Sequence, residues 1–426
     1  MINKLKQYAA LLWEKGLAHI FAGSFLTKFI AFFGSILLVR SLSKFDLGVL
    51  SYLENKYGYV WIFAGMGLSN AILRFVVLED ELAGKKRFFL YAIKTGLLFN
   101  LALVVLASGI NLIYPHKSEY QPYAWLLFFL LGSLPFQYFT DSVLSHERAM
   151  FENRRYMAFS LLISVSIISG KIIFGKLFGV KGAVFSQAFT YVALGIILYC
   201  ATSLKHYGKP LFFRVESIEN KKEVNTYSAQ YMITNGLWAV FMLNDIFLLG
   251  LYCSPEIVAE YRVAYTIPGC VSLISSSIGI FVAPYFVKYE KDLAWVRSNY
   301  KKTMLGTAGF VGLVCLMIAL LTKPLILLLY GEQYLSVSSV MRLLLVAAFF
   351  NCGLRYTTAN ILAAMGQIRY NLIVSAIGTL LQVGINLLVI PRYASYGVAV
   401  TSCFVYLFMA LSLFIVFYRR YLSQKA

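Results

Sequence analysis

The chain has little charge for its size. Only 13% of its 426 residues are charged, 60% are hydrophobic, and the mean hydropathy is +0.72. A soluble protein of this length needs a polar surface, which this composition does not supply. The composition therefore predicts an all-α polytopic membrane protein, and it argues against a soluble enzyme and against a nucleic-acid partner.

Patterns that carry catalysis are also missing. The six cysteines lie singly in apolar runs without a CxxC pair, and the four histidines have no metal-ligand spacing. The chain contains no glycine-rich Walker A loop for ATP and no GxSxG nucleophile motif. We therefore expect no enzyme activity, no metal and no other cofactor. Transport would then be driven by an ion gradient, by substrate flux or by neither.

Long apolar runs, in contrast, fill most of the chain. A helix crosses a bilayer with about 20 residues. The run near 256–286 contains Pro268 and Pro284, so we expect it to be bent or to lie partly outside the membrane. The sequence predicts about twelve spans, near 17–40, 47–72, 88–113, 122–145, 157–178, 181–203, 228–252, 256–286, 304–330, 338–364, 368–390 and 395–418.

Basic residues outside the spans are unevenly distributed between alternate loops. The chain has 38 Lys and Arg against 19 Asp and Glu. With twelve spans, one set of loops and both termini carry about 23 cations, and the other loops carry about five. By the positive-inside rule, both termini are expected to be cytoplasmic. Residues 3–15 predict an amphipathic segment on that surface rather than a cleavable signal peptide.

The two halves of the chain repeat short patterns at an offset of about 214–215 residues. This offset relates Arg155-Tyr156 to Arg369-Tyr370, and Gly182-Ala183-Val184 to Gly397-Val398-Ala399. The repetition predicts two six-helix lobes related by a pseudo-two-fold axis along the membrane normal, with the substrate site between them. The predicted division is an N-lobe at 1–203, a cytoplasmic linker at 204–227 and a C-lobe at 228–426.

Charged residues inside the spans are the functional candidates, because a charge at the bilayer centre costs about 2.5–3.5 kcal/mol. Lys28 and Lys56 lie deepest, and the repeat would bring Arg262 towards them. Cations suit an anionic group such as pyrophosphate. The candidates for substrate binding are Lys28, Lys56, Arg262, Lys94, Lys171 and Arg355. The candidates for ion coupling are Glu54, Asp141, Asp245 and Glu260.

A structural role for the same charges stays open. Glu54 and Glu260 would then neutralise cations inside the protein. Each acid lies only two residues from a cation, Lys56 or Arg262, so such neighbours do not face each other on a helix. Any neutralising pair must therefore join different helices.

Several motifs, taken together and in order, resemble the oligosaccharide-flippase branch of the multidrug/oligosaccharidyl-lipid/polysaccharide exporter superfamily. This branch contains the Wzx-type flippases of O-antigen and capsule repeat units. The motifs are the turn at 38–48 (LVRSLSKFDLG), the turn at 329–334 (LYGEQY), and the stretches 363–367 (AAMGQ), 386–391 (NLLVIP) and 396–399 (YGVA).

The resemblance implies a fold like that of MATE transporters and lipid II flippases. It also implies alternating access through a cationic central cavity. The implied substrate is an undecaprenyl-pyrophosphate-linked oligosaccharide, moved from the cytoplasmic to the outer leaflet of the cell inner membrane for O-antigen, lipopolysaccharide or capsule synthesis. Polysaccharide polymerase and chain-length proteins are implied partners.

In the related lipid II flippases, helices one, two and eight carry cations that face the cavity, and Lys28, Lys56 and Arg262 fall on the matching helices. The chain departs from that branch in having lysine at two of these positions and Phe29 where an acid stands. It also lacks the thirteenth and fourteenth helices, which form the groove for the lipid tail there.

Three other functions are considered. A drug/cation antiporter of the same superfamily would need an acidic site, whereas these spans carry more cations than acids. A membrane glycosyltransferase or polymerase would need a large outer loop, and no predicted outer loop is long. A scaffolding role in a sugar-assembly complex would leave the charged residues without a function.

Overall fold

The computed structural model describes residues 17–114, 116–209 and 218–422. Within these ranges the chain forms fourteen α-helices joined by short 3₁₀ and π segments, with no β-strand. The fold divides into two compact units, Met1–Gly236 and Leu237–Ala426. The predicted linker lies partly outside the described residues, and the predicted lobe boundaries stay a prediction.

Within the described residues, the first unit consists of six complete helices and the start of a seventh. Its second span is broken by a 3₁₀ turn at Ala64–Gly67, where the chain bends by 50°. Positive φ angles at Gly65, Met66 and Gly67 make this bend. The helices are α1 (Leu17–Ser41), α2 (Lys44–Trp61), α3 (Leu68–Leu78), α4 (Leu82–Ile113), α5 (Leu126–Ala149), α6 (Asn153–Tyr207) and α7 (Lys221–Tyr252), which continues into the second unit.

In the described part of the second unit, the rest of α7 is followed by seven further helices. The run near 256–286 forms two helices, of which one ends at Cys270 and the next begins at Ser272, but Val271 between them keeps helical backbone angles, so the bend stays a prediction. A π-helix, Phe349–Arg355, interrupts another span. The helices are α8 (Pro255–Cys270), α9 (Ser272–Lys288), α10 (Leu293–Leu320), α11 (Thr322–Leu329), α12 (Ser338–Ala348), α13 (Tyr356–Ala364) and α14 (Ile368–Phe417).

The helices account for about twelve spans. Within the described ranges, eight helical stretches are long and apolar enough to cross a membrane, or nine with the bent pair α2 and α3. Helices α6 and α14, of 55 and 50 residues, each break once, at Gly179 and Ala394. Counting both as two spans and adding α1 gives twelve. The predicted fold class, an all-α multi-pass membrane protein, is confirmed.

The two breaks lie 215 positions apart and have the same backbone geometry. Gly179 has φ 61° and ψ −146°, and Ala394 has φ 46° and ψ −133°. Such angles suit glycine and are strained for alanine. The match supports duplication of a six-helix unit, because unrelated helices would not break alike at equivalent positions.

Close helix packing next to each break repeats as well. A Cβ atom on Gly182 would collide with Phe174 of the preceding turns, and a Cβ atom on Gly397 would collide with Val389. The two collision partners are also 215 positions apart. Glycine is therefore needed at both positions for the chain to fold back on itself.

Each unit has its own apolar core and an apolar exterior. Phe89, Tyr138 and Leu198 are buried in the core of the first unit, and Met409 and Phe417 in that of the second. Large apolar side chains also remain exposed on the outside, as expected for surfaces that face lipid.

Candidate binding and coupling sites

Two of the predicted substrate-binding lysines are exposed. Lys28 lies near the middle of α1, and Lys94 lies in α4. Neither forms an ion pair or hydrogen bond with any residue in the described part of the chain. Both cations therefore sit on apolar helices, and no acid among the described residues neutralises them.

Lys56 is half-buried and has partners. Its Nζ lies 3.4 Å from Nδ1 of His116. It also lies 4.8 Å from the ring centre of Tyr114 and 5.4 Å from that of Tyr52. Tyr120, in the connection between α4 and α5, packs against α2, since the rings of Tyr52 and Tyr120 are 4.5 Å apart. Lys56 is thus directed towards this connection.

Lys171 pairs with Glu54, one of the predicted coupling acids. Its Nζ lies 2.5 Å from Glu54 Oε1, and both side chains are largely buried. The pair joins α6 to α2, and so it meets the condition that neutralisation occurs between helices. Asp141 of α5 is half-buried, and Tyr191 interacts electrostatically with both Glu54 and Asp141.

Arg262 and Glu260 lie in α8 of the second unit, and both are half-buried. Glu260 Oε1 accepts a hydrogen bond from Ser336 Oγ at 2.9 Å. Tyr334 interacts electrostatically with both charged residues. The predicted grouping of Arg262 with Lys28 and Lys56 stays a prediction.

Arg355 is the most buried candidate cation, with 6% of its surface exposed. Its Nε donates to Asn351 Oδ1 at 2.7 Å. Its guanidinium lies 4.9 Å from the ring centre of Trp238 and 5.9 Å from that of Tyr406. Among the described residues no carboxylate pairs with it, so aromatic faces and one amide hold this charge.

Asp245 is buried in the second unit and is surrounded by neutral donors. The Tyr261 hydroxyl donates to its Oδ2 at 2.6 Å. Gln382 Nε2 and Asn386 Nδ2 donate to Oδ1 at 2.8 and 2.9 Å, and Asn244 Nδ2 lies 3.3 Å from the same atom. Within the described ranges no lysine, arginine or histidine pairs with it.

Three amide oxygens beside Asp245 are buried and accept no hydrogen bond from the described residues. They are Asn244 Oδ1, Gln382 Oε1 and Asn386 Oδ1. Asp245, Tyr261 and Gln382 line a cavity of about 90 Å³. If the side-chain amide group of Gln382 or Asn386 rotated by half a turn, its oxygen would point at the carboxylate in place of its N–H. The same residues can thus hold the bare carboxylate or help to coordinate a cation with oxygen ligands.

Sequence reasoning found Asp245 but missed the residues around it. Gln382 and Asn386 are four positions apart in α14, so they share one helix face within an apolar run. That spacing was the sequence feature that could have pointed to these two residues. No sequence feature pointed to Tyr261, because tyrosine is common throughout this chain.

The sequence reasoning also missed a second buried acid, Glu147, which is fully buried in the first unit. It accepts from Arg155 Nε at 3.1 Å and from Thr202 Oγ1 at 2.6 Å, and His206 Nε2 lies 3.2 Å from Oε2. This cluster ties α5 to both ends of α6. The histidines, scattered in sequence, partly converge here, since the rings of His146 and His206 are 5.2 Å apart. In the described ranges, no group of three His, Cys, Asp or Glu could hold a metal ion.

Comparisons with known proteins show which family and which relatives this chain is similar to. The family model described as "Polysaccharide biosynthesis protein" matches residues 13–290. An uncharacterized membrane protein of Methanocaldococcus jannaschii is 22% identical over 93% of this chain and 82% of its own length.

Solved structures of transporters share the fold. The lipid II flippase MurJ in an inward closed conformation matches with a TM-score of 0.74 and 15% identity, over 94% of this chain and 87% of that one. An inward-facing MATE family multidrug resistance transporter matches with a TM-score of 0.72 and 15% identity, over 94% and 96%. A MOP superfamily transporter of Pyrococcus furiosus, whose binding pocket is described as having reversed polarity, matches with a TM-score of 0.54 and 17% identity. The match covers 95% of this chain and 94% of that one.

Proposed function

Because the chain belongs to the polysaccharide biosynthesis protein family, we propose that it is a flippase for an anionic, lipid-linked oligosaccharide. The proposed substrate is an undecaprenyl-pyrophosphate-linked repeat unit of O-antigen or capsule, carried to the outer leaflet of the inner membrane by alternating access. Both termini would be cytoplasmic, as the loop charges predict.

The observation that carries the proposal is positive charge in apolar helices without an acid beside it. Lys28 and Lys94 have no acidic partner in the described part of the chain, and Arg355 is buried against aromatic rings. A charge in this position is costly unless something compensates it. A pyrophosphate that passes through the protein would supply the missing negative charge for part of each cycle.

The test is export of lipid-linked saccharide in cells that depend on this chain. We expect Lys28→Ala, Lys94→Ala and Arg355→Ala to accumulate the lipid-linked precursor inside and to lose surface polysaccharide, at matched expression. Lys56→Ala and Arg262→Ala test the remaining predicted binding residues, and Lys171→Ala tests a paired one. Lys176→Ala is the control, because this exposed lysine of α6 lies at the end of a span, three residues before the break at Gly179. Normal export by the first three variants would overturn the proposal.

We further propose that Asp245 carries the coupling ion, a proton or an alkali cation. A buried carboxylate held only by neutral groups keeps its negative charge available, and the amide oxygens beside it suit a hard cation. The alternative function, a drug/cation antiporter, would use the same acid. The two differ in cargo: an antiporter would confer resistance to cationic drugs and leave the saccharide precursor unchanged.

Purified protein tests the cation site directly. Sodium chloride should raise the melting temperature relative to choline chloride at equal ionic strength, because a ligand that binds only the folded state stabilises it. If the proton is the ion instead, melting should respond to pH and not to sodium. Asp245→Asn should abolish either response, whereas Glu260→Gln should keep it. A response that survives Asp245→Asn would exclude this site.

A further inference from the structure

We propose that Asp245 and Arg355 couple cation binding to anion binding within the second unit. A cation at Asp245 would raise the affinity of Arg355 for a phosphate or pyrophosphate group. The inference rests on the proposed function, since it assumes a cation at the first residue and an anionic substrate at the second. It adds the route by which one would affect the other.

Asp245 lines a cavity whose wall includes two residues that contact Arg355. Asp245 lines the cavity of about 90 Å³ together with Asn351 and Tyr406. These two residues also hold Arg355: Asn351 accepts from its Nε at 2.7 Å, and the Tyr406 ring lies 5.9 Å from its guanidinium. The residues that bind the arginine thus form part of the wall of the acid's cavity.

One face of α7 also connects them. Trp238, which packs 4.9 Å from the Arg355 guanidinium, lies seven residues before Asp245. Seven residues are two helical turns, so the two side chains share a face about 10 Å apart. Phe241 and Met242 lie between them on that face and line the cavity.

The acid and the arginine do not neutralise each other by contact. Neither forms an ion pair within 4 Å in the described part of the chain. Each charge is therefore felt across the cavity. As a general rule, two unit charges about 10 Å apart in a protein interior change each other's ligand affinity on the order of ten-fold.

The sign of the coupling follows from the charges. The Asp245 carboxylate repels an anion that approaches Arg355, and a cation on Asp245 removes this repulsion. Conversely, the Arg355 guanidinium opposes a cation at Asp245, and an anion on Arg355 reduces that opposition. By linkage, the cation and the anion must strengthen each other's binding by the same factor.

Binding by the purified full chain tests the coupling, with inorganic pyrophosphate as the anion and sodium as the cation at constant ionic strength. In the wild type, saturating sodium should tighten pyrophosphate binding on the order of ten-fold. Asp245→Asn should bind pyrophosphate tightly with or without sodium. Arg355→Gln should bind sodium on the order of ten-fold more tightly than the wild type.

Two further variants keep the result interpretable. Arg355→Lys retains the charge and should keep wild-type sodium affinity, even if Arg355→Gln folds poorly. Arg342→Gln removes an exposed arginine of the same unit, which donates to a backbone carbonyl, and should change neither affinity. If sodium binds at Asp245 but Arg355→Gln leaves its affinity unchanged, the coupling fails and the cation site stands. If neither sodium nor pH changes the melting temperature of the purified protein, the cation site and the coupling both fail.

Discussion

Glu54 and Glu147 of the first unit are compensated differently from Asp245 of the second. In the first, Glu147 is paired with Arg155 and His206, and Glu54 with Lys171. In the second, Asp245 is held by amides and a tyrosine. An acid paired with a fixed cation is already neutralised, so it holds helices together. An acid held by neutral donors keeps its charge for an exchangeable ion.

Removing Glu147 should have the largest effect on stability. Glu147→Ala leaves Arg155, Thr202 and His206 without their common acceptor, and breaking a buried ion pair costs about 3–5 kcal/mol. We expect a clear drop in the melting temperature of the purified protein. Glu152→Ala, which removes an acid at the start of α6 with no side-chain capping bond, should melt like the wild type.

The matched change in the second unit is Asp245→Asn. It removes a buried charge that no cation among the described residues neutralises, and an amide can keep some of the hydrogen bonds. We expect the free energy of unfolding to change by about 1 kcal/mol or less in sodium-free buffer. A loss as large as that of Glu147→Ala would mean that Asp245 is structural, and the contrast between the units would disappear.

A double-mutant cycle on Glu54 and Lys171 measures the other pair of the first unit. Glu54→Gln and Lys171→Met should each destabilise the protein, because each leaves a largely buried charge unpaired. The double variant should lose less stability than the two single variants together, with an interaction free energy of about 1–3 kcal/mol. Additive losses would show that the two side chains do not neutralise each other, and Lys171 would return to the set of free cations.

Substitutions at the two helix breaks, Gly179 and Ala394, should change the stability of the protein by smaller amounts and in opposite directions. Gly179→Ala should cost about 1–3 kcal/mol, because it places a side chain at a positive φ with a Cβ 3.1 Å from Asp46 Oδ2. Ala394→Gly should relieve strain, partly offset by the greater freedom of glycine in the unfolded chain, and gain up to about 1 kcal/mol. Melting temperatures of both variants measure this, and a loss in Ala394→Gly would show that the strain is not there.

Short patterns repeated at a fixed offset were enough to predict the duplication, and apolar runs were enough to predict the number of spans. They report length and periodicity, which decide how a helix meets lipid. The repeated Gly182 and Gly397 were also readable, because close packing at the turn admits no side chain there.

The environment of each charge could not be predicted in the same way. Lys56 and Lys171 look alike in sequence, as single lysines in apolar runs. In the structure one meets a histidine and two tyrosine rings, and the other meets a carboxylate. Which partner a lysine finds depends on how the helices are rotated about their axes, and hydropathy does not encode this rotation to within one side chain.

The smallest expected effect concerns His116, between α4 and α5. Its burial and the nearby Lys56 lower the pKa of His116 below its usual value. Nδ1 faces Lys56 Nζ, and Nε2 lies 3.1 Å from the Asn111 carbonyl. The neutral ring therefore fits this site, and a second proton would face the ammonium.

Below pH of about 6.5 the unfolded chain takes up a proton that the folded protein resists, so stability falls there and is unaffected above it. His116→Gln should remove this part of the pH dependence, worth about 1 °C in melting temperature between pH of about 7.5 and 5.5. An unchanged acid response in that variant would show that Lys56 is held by its two tyrosine rings alone, and this lysine would join Arg355 as a cation supported by aromatic faces.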